Sequence, residues 1–460
     1  MEKILFAALS PIFAFSAAAA DYYYIATFDD VQGNVTMGSA EAWSLSPTET
    51  VLPDSAPGSG DILHFCNENG YIYGGERVCR VNMPSGTALA VGGVEAEVSS
   101  EFWIRRNLSA EGDWTQTVSS DKKYSPETTG IRQLRFAVTN EGDGISVGGD
   151  MVLNTSEYFT SRMSNGRTAV SSSGGVSLNV GGALAFNFNG FSGTLMDEGY
   201  HAFDMRDSQS KTDGGNAMVF NLGGLRSSGR AVYMTSGTAA VAHFNFNDNS
   251  AGSFAGGSFE GVFAAESGVS SQLNITMNGG GKQEMNIYKA SNGSLHGFGG
   301  DLDGKSDMSI GMLTVNSGEF AINTEVAVEN LYLSGGRLSF SSPEKVGGVT
   351  IDGGTLLFGG TILAGDLSVA AYSVDVVFSA DDLAAHEITV LEFDYLVDEF
   401  EAGKVFSAYD ESGQRLGGTF ELTGEMGGAG SLVYVVPEPS AFAAIIGALS
   451  LALAFRRMKR

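Results

Sequence analysis

Leu313-Thr-Val-Asn-Ser-Gly recurs as Leu331-Tyr-Leu-Ser-Gly-Gly, Val349-Thr-Ile-Asp-Gly-Gly and Leu367-Ser-Val-Ala-Ala-Tyr, and the four starting positions are evenly spaced along the chain. The first and third positions are apolar in all four: Leu313 and Val315, Leu331 and Leu333, Val349 and Ile351, Leu367 and Val369. So are the eighth and tenth: Phe320 and Ile322, Leu338 and Phe340, Leu356 and Phe358, Val374 and Val376. In a chain that is 43% hydrophobic, sixteen such coincidences have a chance probability on the order of 10⁻⁶ before correction for the search. Alternation with period two inside a fixed longer period is the pattern of stacked β-coils.

The spacing dictates the physics. Each coil carries two inward pairs separated by a turn at Ser317-Gly318, Gly335-Gly336 or Gly353-Gly354, where glycine tolerates positive φ. The fourth coil has Ala371-Tyr372 there, so a different turn is expected. One coil alone leaves its apolar face wet, and only neighbours at about 4.8 Å can cover it. The expected fold is all-β: a parallel β-helix, or β-solenoid, of right-handed sense. A left-handed helix with three hexapeptides to a turn would have the same spacing, but it wants a small apolar residue at every sixth position. Glu319 and Glu325 do not fit that rule.

Regular coils are expected over 313–384, with irregular Gly-rich ones over 145–312. There Val176-Ser-Leu-Asn-Val-Gly-Gly-Ala-Leu-Ala-Phe and Val219-Phe-Asn-Leu-Gly-Gly-Leu repeat a strand, Gly-Gly, strand pattern. Phe186-Asn-Phe-Asn returns as Phe244-Asn-Phe-Asn, which suggests equivalent positions about three coils apart. Asn187, Asn189, Asn245 and Asn247 are candidates for stacked amide ladders. Residues 21–144 hold all three tryptophans and both cysteines and are expected to form a β-rich N-terminal cap. Residues 385–435 are expected to supply closing strands. The Gly-Gly coils resemble the autotransporter-associated β-strand repeats of large bacterial surface proteins, although no C-terminal outer-membrane barrel pattern follows them.

Both termini point to export. Lys3, the apolar Ile4–Phe15 and Ala18-Ala19-Ala20 fit a signal peptide over 1–20, with Asp21 the first mature residue. The last segment, 436–460, has three parts: Pro437-Glu438-Pro439, the uncharged Ser440–Phe455, and Arg456-Arg457-Met-Lys-Arg. Sixteen residues at 440–455 span roughly 24 Å as a helix, short of the ~30 Å hydrocarbon core. Arg456 and Arg457 can make up the difference by snorkelling, and the basic end stays cytoplasmic. This tail resembles the PEP-CTERM sorting signal of exported bacterial proteins. That resemblance implies a transmembrane helix at 440–455, recognition by an exosortase-type membrane protease or transpeptidase, and association with exopolysaccharide.

Net charge is −27. The first twenty residues contribute zero and those after Pro439 contribute +4, so 21–439 carries −31. Such a surface repels nucleic acid and anionic lipid. Cys66 and Cys79 are a possible disulfide, closing a small loop worth roughly 3 kcal/mol in an oxidising compartment. Two cysteines make neither a thiolate zinc site nor a disulfide-dense scaffold.

His64, His201, His243, His296 and His386 are scattered without ligand spacing, and no HExxH, Gly-x-Ser-x-Gly or Walker loop is present. Asp301-Leu-Asp303-Gly-Lys-Ser-Asp307 places glycine fourth where a calcium loop needs it sixth, and Met312 at the twelfth position where Glu belongs. Neither a metal nor a cofactor is expected. Asp352 and Asp381-Asp382 are the acids a β-helix polysaccharide lyase or glycosidase would use, although outward acids are expected on any surface this negative. Trp103 and Trp114, near Arg105 and Arg106, are candidates for stacking on sugar rings, or for filling the core of the cap. The reading favoured is a non-enzymatic surface protein with structural or adhesive work. A secreted polysaccharide-degrading β-helix enzyme and a carbohydrate-binding module on a solenoid stalk are the alternatives.

Overall fold

The side-chain alternation that sets the coil pattern also sets the pairing. The computed structural model describes residues 19–26, 35–65, 72–73, 76–81, 89–98, 101–105, 108–118, 133–138, 144–155, 160–165, 176–188, 201–205, 216–228, 230–235, 240–248, 255–290, 304–340 and 345–437. Their regular secondary structure is almost all strand, organised in long parallel sheets; the one described α-helix is the single turn Ala402–Val405.

Three parallel ladders run along the molecule. The first starts at Leu89–Val91 and ends at Glu387–Leu396. One column of it reads Leu89, Leu108, Ile145, Leu178, Phe220, Phe244, Ile275, Leu313, Leu331, Val349, Leu367, Leu396, each residue beside the next. The second passes from Asp21–Tyr24 through Ile62–Phe65, Gly93–Val98, Trp114–Val118 and Met151–Thr155 to 183–186 and 224–227. It shares a sheet with the first because the long strands Val176–Phe188 and Asn216–Ser227 run through both. The third is a separate sheet, from Glu76–Val81 to Phe406–Asp410.

Most of the core lies between the ladders as one large cluster, with a small separate one at Val262, Ala264 and Ala290. Of the sixteen positions expected to point inward over 313–376, all but Phe358 are buried, and Phe358 is partly so. Phe246 of the first ladder meets Phe320 of the third at 6.2 Å between ring centroids. A fully buried side chain of this size contributes about 1.5–3 kcal/mol, and like residues stacked over like leave few voids.

Register corrects the sequence reading in three places. The expected cap, 21–144, contributes most of its described strands to the same parallel ladders, while Trp43–Ser44 and Ile72–Tyr73 pair antiparallel at their starts. Its steps are unequal, since the stretch from Leu108 to Ile145 is nearly twice that from Leu89 to Leu108, so no fixed repeat shows there. Phe186 and Phe244 are not equivalent. Phe186 lies in the second ladder beside Leu153, and Phe244 lies in the first, stacked on Phe220 at 4.7 Å. The third correction is at Leu356, which pairs with Val376 rather than with Val374, its counterpart by even spacing. The fourth coil has two extra residues in the turn that exposes Tyr372 (97%).

Corners need small residues because coils touch there through backbone. A Cβ on Gly148, Gly181 or Gly223 would press well inside contact on the carbonyl oxygen of the coil before it: Glu111, Gly148 and Gly181 respectively. Beside them the Asp113 carboxylate accepts the Asp150 N–H (2.8 Å), and the Asp150 carboxylate accepts the Ala183 N–H (2.7 Å).

Antiparallel strands cover the ends. Tyr24 pairs with Trp43 at the start. At the other end Gly430–Val435 pairs antiparallel with both Glu387–Leu396 and Thr419–Thr423. An open parallel edge would template further pairing, and these strands occupy it.

Candidate functional site

The C-terminal junction is built by this closing hairpin. Leu432 and Tyr434 are buried, with the Tyr434 ring 4.9 Å from Phe378 and 5.0 Å from Phe420. Val436 still donates its N–H to the His386 carbonyl (2.9 Å). Pro437 follows and is exposed. It has no N–H to extend the ladder, so pairing stops where the expected sorting motif starts. Glu438, Pro439, Arg456, Arg457 and the helix expected at 440–455 lie outside the described residues, as does the expected signal peptide up to residue 18. Among the described residues no helix is long and apolar enough to cross a membrane.

A second surface lies on the outer face of the first ladder. Residues between the inward pairs point outward, and Gly348 has no side chain to offer. The result is a shallow cavity of about 270 Å³ over three coils, lined by Met312, Thr314, Asn330, Tyr332, Gly348 and Thr350. The Asn330 amide donates to the Gly311 carbonyl (3.1 Å). The Tyr332 hydroxyl donates to the Asp352 carboxylate. That bond comes first among the causes holding the Tyr332 hydroxyl above the ordinary tyrosine range, followed by lost hydration and then the negative charge of Asp352. Met312 is 39% exposed, and Tyr395, further along the same face, 48%. The face therefore presents a ring, a thioether, hydroxyls and an amide. Such a set can lie against a polyhydroxylated chain.

Asp352 and Asp382 both make hydrogen bonds within the fold. Asp352 holds Tyr332. Asp382 accepts both the N–H (2.8 Å) and the hydroxyl (2.6 Å) of Ser379, closing a turn. Asp307 accepts the Ala290 N–H, while Asp301 and Asp303 lie outside the described residues. His64 bridges Asp21 (3.0 Å) and Glu95 (3.3 Å) and stacks on Tyr23 at 4.6 Å. Among the described residues no three His, Cys, Asp or Glu side chains converge as a metal site would require.

Trp114 does not face solvent. It is buried in the second-ladder column between Val94 and Met151, so it packs core and is closed to sugar. Trp43 is buried too and donates to the Met37 carbonyl (2.9 Å). Trp103 is placed only as backbone of Glu101–Arg105, and Cys79 only as backbone of Glu76–Val81; with Cys66 undescribed, the expected disulfide lies outside the described residues.

The amide ladders form with partners that spacing alone did not suggest. Asn245 donates to Asn221 (2.9 Å) and Asn221 to Asn179 (2.7 Å). Asn316 donates to Asn278 (2.7 Å) and Asn278 to Asn247 (3.2 Å). Asn187 donates to Asn154 (3.0 Å); Asn189 lies outside the described residues. No family model, no curated protein and no solved structure matches the chain.

Proposed function

We propose that this chain is an exported, non-enzymatic β-solenoid of the cell surface, right-handed in sense, with structural or adhesive work. Its tail is a PEP-CTERM-type sorting signal processed by an exosortase-type membrane protease or transpeptidase, with the helix 440–455 as the transit anchor. Its outer face associates with exopolysaccharide. The observation that carries this reading is the unbroken like-over-like stacking of twelve first-ladder strands, about 50 Å at ~4.8 Å per step, ending in a sealed hairpin immediately before Pro437. Corner carboxylates and amide ladders are committed to bonds between coils, which suits a stiff rod. The groove at Tyr332 supplies a surface for a neutral glycan.

The decisive measurement is the C-terminal mass of the protein from envelope and culture-supernatant fractions. A mature end near Pro437–Pro439 supports sorting; an intact Arg460 in both fractions removes it and leaves a tether. The same purified protein is then incubated with polyuronates and neutral glycans, with and without calcium. Retention without turnover supports the adhesive reading. Release of reducing or unsaturated ends would instead establish a polysaccharide-degrading enzyme.

A further inference from the structure

We propose that the exported chain is cut between Ala19 and Ala20, and that the α-ammonium group so created docks on the Asp61 carboxylate. This inference rests on the export reading above. On the sequence reading above, Asp21 is the first mature residue, but Ala17, Ala18, Ala19 and Ala20 are consecutive, and small residues one and three positions before the bond satisfy a signal peptidase at several registers.

The fold distinguishes those registers. Ala20 belongs to the folded body: its carbonyl accepts the Ile62 N–H (2.9 Å), and its own N–H donates to Asp61 Oδ1 at 3.0 Å. Asp61 is held for this, since its Oδ2 accepts the Gly58 N–H at 2.9 Å and its carbonyl accepts the N–H groups of Gly92 and Gly93. Ala20 is half-buried, whereas Ala19 is exposed. A cut after Ala20 would strip Ile62 and Asp61 Oδ1 of their partners. A cut after Ala18 would leave an ordinary amide at Asp61. Hydrolysis of the Ala19–Ala20 bond consumes one water, leaves a carboxylate on Ala19, and puts a protonated amine on the nitrogen already 3.0 Å from a carboxylate. A neutral hydrogen bond becomes a charge-assisted one, the stronger kind.

The test is the N-terminal peptide mass of the full chain after export, which needs no variant. Ala20 as first residue is the expected result. Asp21 or Ala19 as first residue overturns the placement while leaving export intact. An intact Met1 removes the export reading and this inference with it. Docking is read separately, by acylation of the α-amine with an amine-reactive reagent at neutral pH. The Asp61→Asn protein is expected to label several-fold faster than the parent, and equal rates would overturn the ion pair.

Discussion

Gln283 and Leu225, far apart in sequence, are bonded to each other twice. The Leu225 N–H donates to Gln283 Oε1 and Gln283 Nε2 donates to the Leu225 carbonyl, both at 3.0 Å. Leu225 lies where the second ladder ends, and the primary amide of a fully buried Gln283 does for it what a neighbouring strand would do. Gln283→Leu keeps apolar volume but strands both backbone groups in the core. At about 1–3 kcal/mol for each buried unsatisfied group, the expected loss is about 2–6 kcal/mol, read from the shift in denaturation midpoint. A shift near zero would mean that the ladder end finds other partners.

The corner glycines act by closeness of backbone to backbone. Gly181→Ala puts a methyl group against the Gly148 carbonyl oxygen, and the coils must part to admit it. Overpacking of this kind costs about 1–3 kcal/mol. Gly58→Ala is the control, because nothing lies within 4 Å of its added Cβ; a surface change there stays within about 0.5 kcal/mol. Thermal midpoints of the two variants should separate clearly.

Asn221 is the middle of a three-member amide ladder, accepting from Asn245 and donating to Asn179. Asn221→Ala leaves an acceptor and a donor idle at once and should lose about 1–2 kcal/mol. Since the bonds form a chain, a double-mutant cycle of Asn179→Ala with Asn221→Ala should show coupling of about 0.5 kcal/mol or more. Strict additivity would mean that water replaces the ladder freely.

Tyr434 connects the closing hairpin to alkaline pH. Burial is the main cause raising its hydroxyl above the ordinary tyrosine value, opposed in part by the Gly418 N–H that its oxygen accepts at 3.1 Å. A folded-state value above the unfolded one favours the protonated phenol in the fold. The contribution is therefore whole below the unfolded value near 10 and is lost as pH rises through the folded value. Tyr434→Phe should flatten the fall of the melting temperature in that window, and tyrosinate absorbance should lose one component that titrates above the ordinary tyrosine range.

Much of this architecture was legible in the sequence where coil length is constant. From Leu313 to Leu367 the turns are short and equal, so inward residues recur at a constant step and the alternation shows which side is buried. Val374 marks the limit: two added turn residues move the register, and counting cannot see an insertion placed in solvent. Before residue 313 coil length changes at every step, because loops of different size leave the same ladders. Phe186 and Phe244 then share a motif while occupying different ladders. The groove at Tyr332 was not legible, since it depends on Gly348 lying between Asn330 and Asp366 in register. Gln283 was missed as well; the signal available was a glutamine at an inward position between Lys282 and Glu284.

Cutting the chain just past Val436 should leave its stability unchanged, whereas cutting it before Gly430 should not. The strand Gly430–Val435 covers the last parallel strand, Glu387–Leu396, with six registered partners from Glu387↔Val435 to Phe393↔Gly430. It also buries Leu432 and Tyr434. A chain ending at Val436 retains all of this, including the Val436 N–H bond to His386, and loses only residues outside the hairpin. A chain ending at Ala429 exposes a long flat edge with free N–H and C=O groups beside the apolar surface of Phe393 and Phe378. Such edges pair with one another. Light scattering and size-exclusion chromatography should therefore find the longer chain monodisperse and the shorter one in growing oligomers. Monodisperse behaviour of the shorter chain would show that the hairpin is dispensable as a seal, and that a cut there need not be confined to the exposed side of Val436.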